Sequence, residues 1–197
     1  MEVDCPDDAA LIKAAAEADF NVIMWGVGKL PLCHRYGLKL MVHHGDRGWE
    51  PEGDDEWSTR WREYMRKVGP FTPEMARAVS DDPAIWGYMV FDEPGSGQSL
   101  KMAEYVRGFA QADSRHPAYI NVLSEGGEYL ESFMQVVKPH VLSYDYYQWW
   151  WGRKGHFPRL EEHRRVALSQ GIPHFCWLEV NANPEAESDD AAAHLPD

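Results

Sequence analysis

Two periodicities alternate along the chain. Short, nearly continuous apolar runs such as Phe20-Asn21-Val22-Ile23-Met24-Trp25 and Ile85–Phe91 alternate with stretches whose apolar positions recur at helical spacing. The runs predict strands at 20–25, 38–43, 85–92, 118–123, 141–146 and 172–178. The spaced stretches predict helices. Asp4 caps the first and Pro6 sits in its opening turn, with Leu11, Ile12 and Ala15 as its apolar stripe. A second ends at Tyr36-Gly37, where glycine suits a left-handed cap. Asp19 stands at a helix end where a left-handed residue is common, a conformation aspartate tolerates. From His44 to about Thr59 the chain is polar and predicts a long loop. Further helices are expected at Trp61–Lys67, Pro73–Val79, Leu100–Ala112, Gly127–Val137 and Leu160–Gln170.

Six buried-type strands alternating with helices imply a parallel sheet covered on both faces. An open doubly wound sheet and a (β/α) barrel both fit this alternation. No glycine-rich phosphate loop follows any strand, which weakens the nucleotide-binding alternative. Residues 1–181 form the expected barrel-like domain, and residues 182–197 a loose acidic tail with little apolar content. At 197 residues the chain is short for a complete eight-stranded barrel, which typically takes about 250.

Polar side chains collect at the carboxyl ends of the strands. They are Trp25, His43-His44-Gly45-Asp46, Asp92-Glu93-Pro94, Asn121, Tyr144-Asp145-Tyr146-Tyr147, and Glu179 with Asn181. In an α/β barrel this is the face that carries the active site. Glu93 has a structural reading as a helix N-terminal acid, because Pro94 can begin a helix. Glu179 ends the apolar run Phe175-Cys176-Trp177-Leu178, where a carboxylate either pairs with a buried cation or does chemistry. Together the two supply what glycoside hydrolysis requires, a proton donor and a second carboxylate at the sugar centre.

Composition narrows the partners. A net charge of −13 argues against a nucleic-acid backbone or an anionic membrane surface. Nine tryptophans and nine tyrosines belong to the core by ordinary burial preference, although flat rings also stack on sugars. Cys5, Cys33 and Cys176 show no metal spacing and suggest no disulfide framework. The N-terminal residues lack signal-peptide character and no membrane-length apolar run follows, so the sequence as it stands reads as unexported, with export open if residues precede it. No cofactor is implied.

The segment Asp82-Pro83-Ala84-Ile85-Trp86-Gly87-Tyr88-Met89-Val90-Phe91-Asp92-Glu93-Pro94 resembles the fourth strand of clan A retaining glycoside hydrolases, and more narrowly β-galactosidase-like or cellulase-like barrel proteins. Ala18–Val22, His34–Lys39, Val137–Asp145 and Gly171–Pro173 are similar to the approaches to strands two, three, six and seven, in the right order. The resemblance covers about residues 8–181. It implies a TIM-type barrel glycosidase with Glu93 as acid/base and Glu179 as nucleophile. By the same resemblance Trp25, His43, His44, Asp92, Asn121, Tyr144, Tyr146, Trp149 and Trp150 would bind a carbohydrate substrate, one of the two tyrosines orienting Glu179. Asp92 stands where the clan usually has asparagine. Under this alignment strands one and eight fall outside the sequence, leaving a notch between two exposed edges that a second copy or the tail would cover unless the sequence is a gene fragment.

Two rivals remain. His43, His44, Asp46, Asp145 and Glu179 include residue types that bind zinc or manganese in barrel hydrolases. Adjacent histidines alternate faces on a strand, so at most one of the pair points inward. A degenerate barrel that binds carbohydrate without turnover is the other.

Overall fold

The computed structural model describes residues 8–43, 56, 59, 62, 63, 71–123, 127–146 and 155–178. Within these residues six strands, β1 (Val22–Trp25), β2 (Lys39–Val42), β3 (Ile85–Asp92), β4 (Ala118–Leu123), β5 (Leu142–Tyr146) and β6 (His174–Leu178), form one sheet. Every strand pairs in parallel with its neighbour in sequence, giving the order β1-β2-β3-β4-β5-β6. An order that never reverses has no switch point, so the doubly wound alternative is excluded.

The connecting helices are α1 (Asp8–Glu17), α2 (Leu30–Tyr36), α3 (Pro73–Val79), α4 (Ser99–Ala112), α5 (Glu128–Val137) and α6 (His156–Gln170). Their ends follow local chemistry. Thr72 caps α3 by accepting the Met75 N–H at 3.3 Å, with Pro73 in the first turn. Gly37 and Gly171 end α2 and α6 at φ of 71° and 67°, and Asp19 adopts the expected left-handed turn at φ 61°. Helix α6 starts a turn earlier than the sequence suggested, at His156 instead of Leu160. Pro158 is tolerated in the opening turn, so it did not delay the helix. Glu56 and Thr59 are helical, so the loop expected over 44–59 is shorter than its polarity suggested. The residues before Asp8 and the tail 182–197 lie outside the described set.

Two apolar layers flank the sheet. The larger lies between strands and helices and contains Leu40, Tyr88, Ile120, Val122, Leu142 and Tyr144 with Phe109, Phe133 and Val166 of the helices. The smaller covers the inner face, with Met41, Met89, Tyr119 and Val141, flanked by Trp86, Phe175 and Trp177. The inner layer shows that the sheet curls. Strands β3 and β6 are three spacings apart, about 14 Å in a flat sheet. Yet the Trp86 and Phe175 rings meet at 6.0 Å, and Tyr119 on β4 meets Phe175 at 5.2 Å. The sheet is a partial (β/α) barrel, and among the described residues it ends at β1 and β6.

Strand β3 carries two register shifts, one against β2 and one against β4 between Met89 and Phe91. The second has consequences for the site. Strict alternation from inward-facing Met89 would put Phe91 inside and Asp92 outside. The extra residue reverses this: Phe91 joins the helix-facing core, and Asp92 is brought level with Asn121 on the inner face. Gly87 allows the adjoining approach, because a Cβ there would meet the Pro117 carbonyl oxygen at 2.8 Å.

Candidate active site

Strands β3, β4, β5 and β6 carry a connected set of polar side chains on the inner face, reaching Asp92 at the carboxyl end of β3. Trp177 Nε1–H donates to Ser143 Oγ at 3.1 Å. Ser143 Oγ–H donates to Asn121 Oδ1 at 2.7 Å, and Asn121 Nδ2–H donates to Asp92 Oδ1 at 2.9 Å. Register explains the alignment: Asp92 lies opposite Asn121, Asn121 opposite Ser143, and Trp177 opposite Asp145. Asn121, Ser143 and Asp145 are all buried.

Electrostatics at this rim are strained. Burial pushes the Asp92 carboxyl above the usual aspartate range, and the Asp145 charge adds to the rise. The Asn121 hydrogen bond and nearby His43 oppose it without cancelling it. His43 approaches the Met89 carbonyl oxygen through Nδ1 at 3.4 Å.

Glu93 follows directly. Its N–H donates to the Asn121 carbonyl at 2.8 Å, which extends the β3–β4 ladder by one bond. Its backbone is left-handed, at φ 45°, and its side chain is exposed. For a glutamate this conformation costs about 1–2 kcal/mol, so neighbouring structure must enforce it. Pro94, next in sequence, is buried and accepts the Tyr129 hydroxyl at 3.1 Å. The chain therefore turns sharply at Glu93, with Asp92 held on one side and Pro94 on the other.

The structure divides the side chains expected to line the cleft. His43, Asp92 and Asn121 share the inner face, and Glu93 stands on the rim above it. Trp25 packs instead against the helix-facing core. Tyr144 and Tyr146 face that way too. Tyr144 stacks on His163 of α6 at 3.8 Å, and Tyr146 packs beside Gly155 and His156. Period-two alternation gives the reason, since Ser143 and Asp145 take the inward positions of β5 and the tyrosines the outward ones. His44, Asp46, Trp149, Trp150 and Glu179 lie outside the described residues, so the Glu93–Glu179 separation falls there as well. Among the described residues no three His, Cys, Asp or Glu side chains are grouped as a metal ion requires.

Sequence reading missed Ser143 and Trp177. The signal was available: a serine and an aspartate at alternate positions of an otherwise apolar strand mark its polar inner side. Cys33 and Cys176 are free thiols, and burial raises Cys33 to about 11, which leaves it protonated and inert. No described helix is long and apolar enough to cross a membrane.

No protein-family profile matches the chain, and no curated protein matches it in sequence. Solved structures do match in fold. A glycoside hydrolase family 5 mannosidase from Rhizomucor miehei superposes with a TM-score of 0.60 at 13% identity, covering 84% of this chain and 61% of that one. A family 10 xylanase from Thermobacillus composti gives 0.58 at 12% identity, covering 90% and 72%. A family 2 beta-galacturonidase from Eisenbergiella tayi gives 0.57 at 15% identity, covering 94% of this chain and 34% of that one. The chain thus spans less than two thirds of the mannosidase and about a third of the galacturonidase. At these identities the likeness is one of fold: a partial (β/α) barrel of the kind on which these glycosidases are built.

Proposed function

We propose that this chain is the larger part of a glycoside hydrolase barrel that cleaves O-glycosidic bonds by a retaining mechanism. The observation that carries the reading is Glu93: an exposed carboxylate, in a costly left-handed conformation, at the carboxyl end of β3 beside a buried polar chain. Strain of that kind clusters at functional sites. The fold likeness to mannosidase, xylanase and galacturonidase supports the same reaction class.

In the first step Glu93 gives its carboxyl proton to the departing glycosidic oxygen. The bond from that oxygen to the anomeric carbon breaks while Glu179 forms an ester with the carbon. In the second step Glu93, now ionised, takes a proton from water as the water oxygen attacks the same carbon, and Glu179 leaves as carboxylate. The two carboxyls then stand about 5–5.5 Å apart; an inverting pair would need about 6.5–9.5 Å. Phe175 and Trp177 face inward on β6, the strand that precedes Glu179 in sequence. The edges of β1 and β6, which no other strand pairs among the described residues, belong to this proposal: a second copy or the C-terminal tail covers them.

The test is hydrolysis of a panel of aryl glycosides, followed by Glu93→Gln and Glu179→Gly. Glu93→Gln should lower kcat by about 10²-fold or more. Glu179→Gly with azide should yield a glycosyl azide of inverted configuration. An active Glu179→Ala enzyme without added nucleophile would overturn the assignment. Sedimentation showing a monomer whose two edge strands exchange their amides freely would overturn the assembly.

A further inference from the structure

The polar chain on the inner face has a direction, and the residue types at its two ends fix it. Indole Nε1–H can only donate. Ser143 therefore accepts from Trp177 and turns its own proton to the other neighbour within reach, Asn121 Oδ1. With its oxygen so engaged, the amide must present Nδ2–H to Asp92. The orientation of an asparagine amide follows from its hydrogen-bond network, and here the determining group is a tryptophan two strands away.

We infer that Trp177, Ser143 and Asn121 are positioning residues, a one-way chain of donors running from β6 to β3 that holds the Asp92 carboxylate at the rim of the cleft. Four side chains on four adjacent strands take part, with 3.1, 2.7 and 2.9 Å between successive heavy atoms. Burial of Ser143 and Asn121 keeps water from substituting for the link between them. Other groups facing Asp92 pull in different directions. Asp145 on β5 disfavours its charge, His43 after β2 favours it, and the neutral Tyr119 phenol on β4 responds to it. The donated N–H of Asn121 is the hydrogen bond that stabilises the ionised form.

The inference concerns how the rim is built and rests on the glycosidase reading only for what Asp92 does there. With an ionised Asp92, the carboxylate accepts a hydrogen bond from a substrate hydroxyl. It also places a second negative charge beside Glu93, which helps keep the proposed acid protonated before the first step.

Carbon-13 titration of Asp92 in the full chain, assigned by the signal lost in Asp92→Asn, tests the chain without any turnover. Ser143→Ala releases the Asn121 amide and should make Asp92 bind its proton about tenfold more tightly. Ser143→Thr keeps the hydroxyl and should restore the wild-type titration. Trp177→Phe keeps an aromatic ring but removes the donor, so it should move Asp92 in the same direction by a smaller amount. It also serves as the reading should Ser143→Ala fold poorly. A change below about twofold in Ser143→Ala, or a Trp177→Phe protein that titrates like wild type, would overturn the chain. An inactive protein with the expected shifts would sink the enzyme reading and leave the chain standing.

Discussion

Two aspartates at opposite ends of the sheet, the buried Asp113 and the half-buried Asp92, are shifted in opposite directions. Asp113 lies below the amino ends of the strands, between α4 and β4. Burial by itself would raise its pKa, yet three donors overcome that and hold it below the usual aspartate range. Tyr88 donates its hydroxyl at 2.6 Å, His116 its Nδ1 at 2.7 Å, and the Arg115 N–H reaches the other oxygen at 2.9 Å. Asp82, at the same end, is likewise lowered: the Ala84 N–H and His34 outweigh its burial cost. At the carboxyl ends Asp92 has Asn121 as its strongest opposing partner, feels the Asp145 charge, and stays raised. One end satisfies its charges and serves stability. The other leaves charge under strain next to a left-handed glutamate, the contrast expected if the proposed active site lies there.

The largest expected effect tests the stable end. Asp113→Ala removes the acceptor of three buried or half-buried donors and should cost about 2–4 kcal/mol in denaturant unfolding. A loss below about 0.5 kcal/mol would mean that the amino-terminal network is ornamental, and the contrast would fail.

At the opposite rim the sign should reverse. Glu93→Asn puts a residue that tolerates the left-handed region at φ 45° and should stabilise the protein by up to about 1 kcal/mol, while removing the proposed glycosidase activity. A destabilised Glu93→Asn protein would show that the conformation is held by useful contacts of the Glu93 side chain. Asp92→Asn should also stabilise at neutral pH, by some tenths of a kcal/mol, because an amide oxygen can still accept from Asn121 without a buried charge.

The smallest effects, in pH dependence, discriminate best. The folded pKa of Asp113 is below its unfolded value, so its stabilisation is present above the unfolded pKa and lost as pH falls through the folded one. Asp113→Asn should flatten the acid limb of the stability curve. The folded pKa of Asp92 is raised, so its carboxyl favours the native state at low pH, and that contribution is lost as pH rises through the folded value. The advantage of Asp92→Asn should therefore grow over the same interval and level off above it. Equal behaviour of the two variants would erase the distinction between the ends.

Most of the architecture was legible in the residues. The strands observed at 85–92 and 118–123 match the expected spans to the residue, because a strand covered on both faces is mostly apolar and polar flanks mark its ends. Gly37 and Asp19 announced their turns, since few other residue types accept a positive φ at low cost. The rim as a polar edge was also legible: Asp92 and Glu93 end one apolar run, and Asn121 and Asp145 interrupt two others in their carboxyl halves.

What the sequence could not decide was which way those side chains face. Composition treats Tyr144 and Asp145 as neighbours, but one stacks on His163 under α6 and the other lies on the inner face. A single extra residue near Val90 turned Asp92 inward, and no run of apolar letters reveals a bulge. The chain from Trp177 to Asp92 joins residues far apart in sequence, so it exists only because four strands lie in register on a curled sheet. Hydrophobic pattern is local and fixes where strands and helices form. The polarity of a hydrogen-bonded network and the charge it sustains depend on contacts between distant segments, and those only the tertiary fold decides.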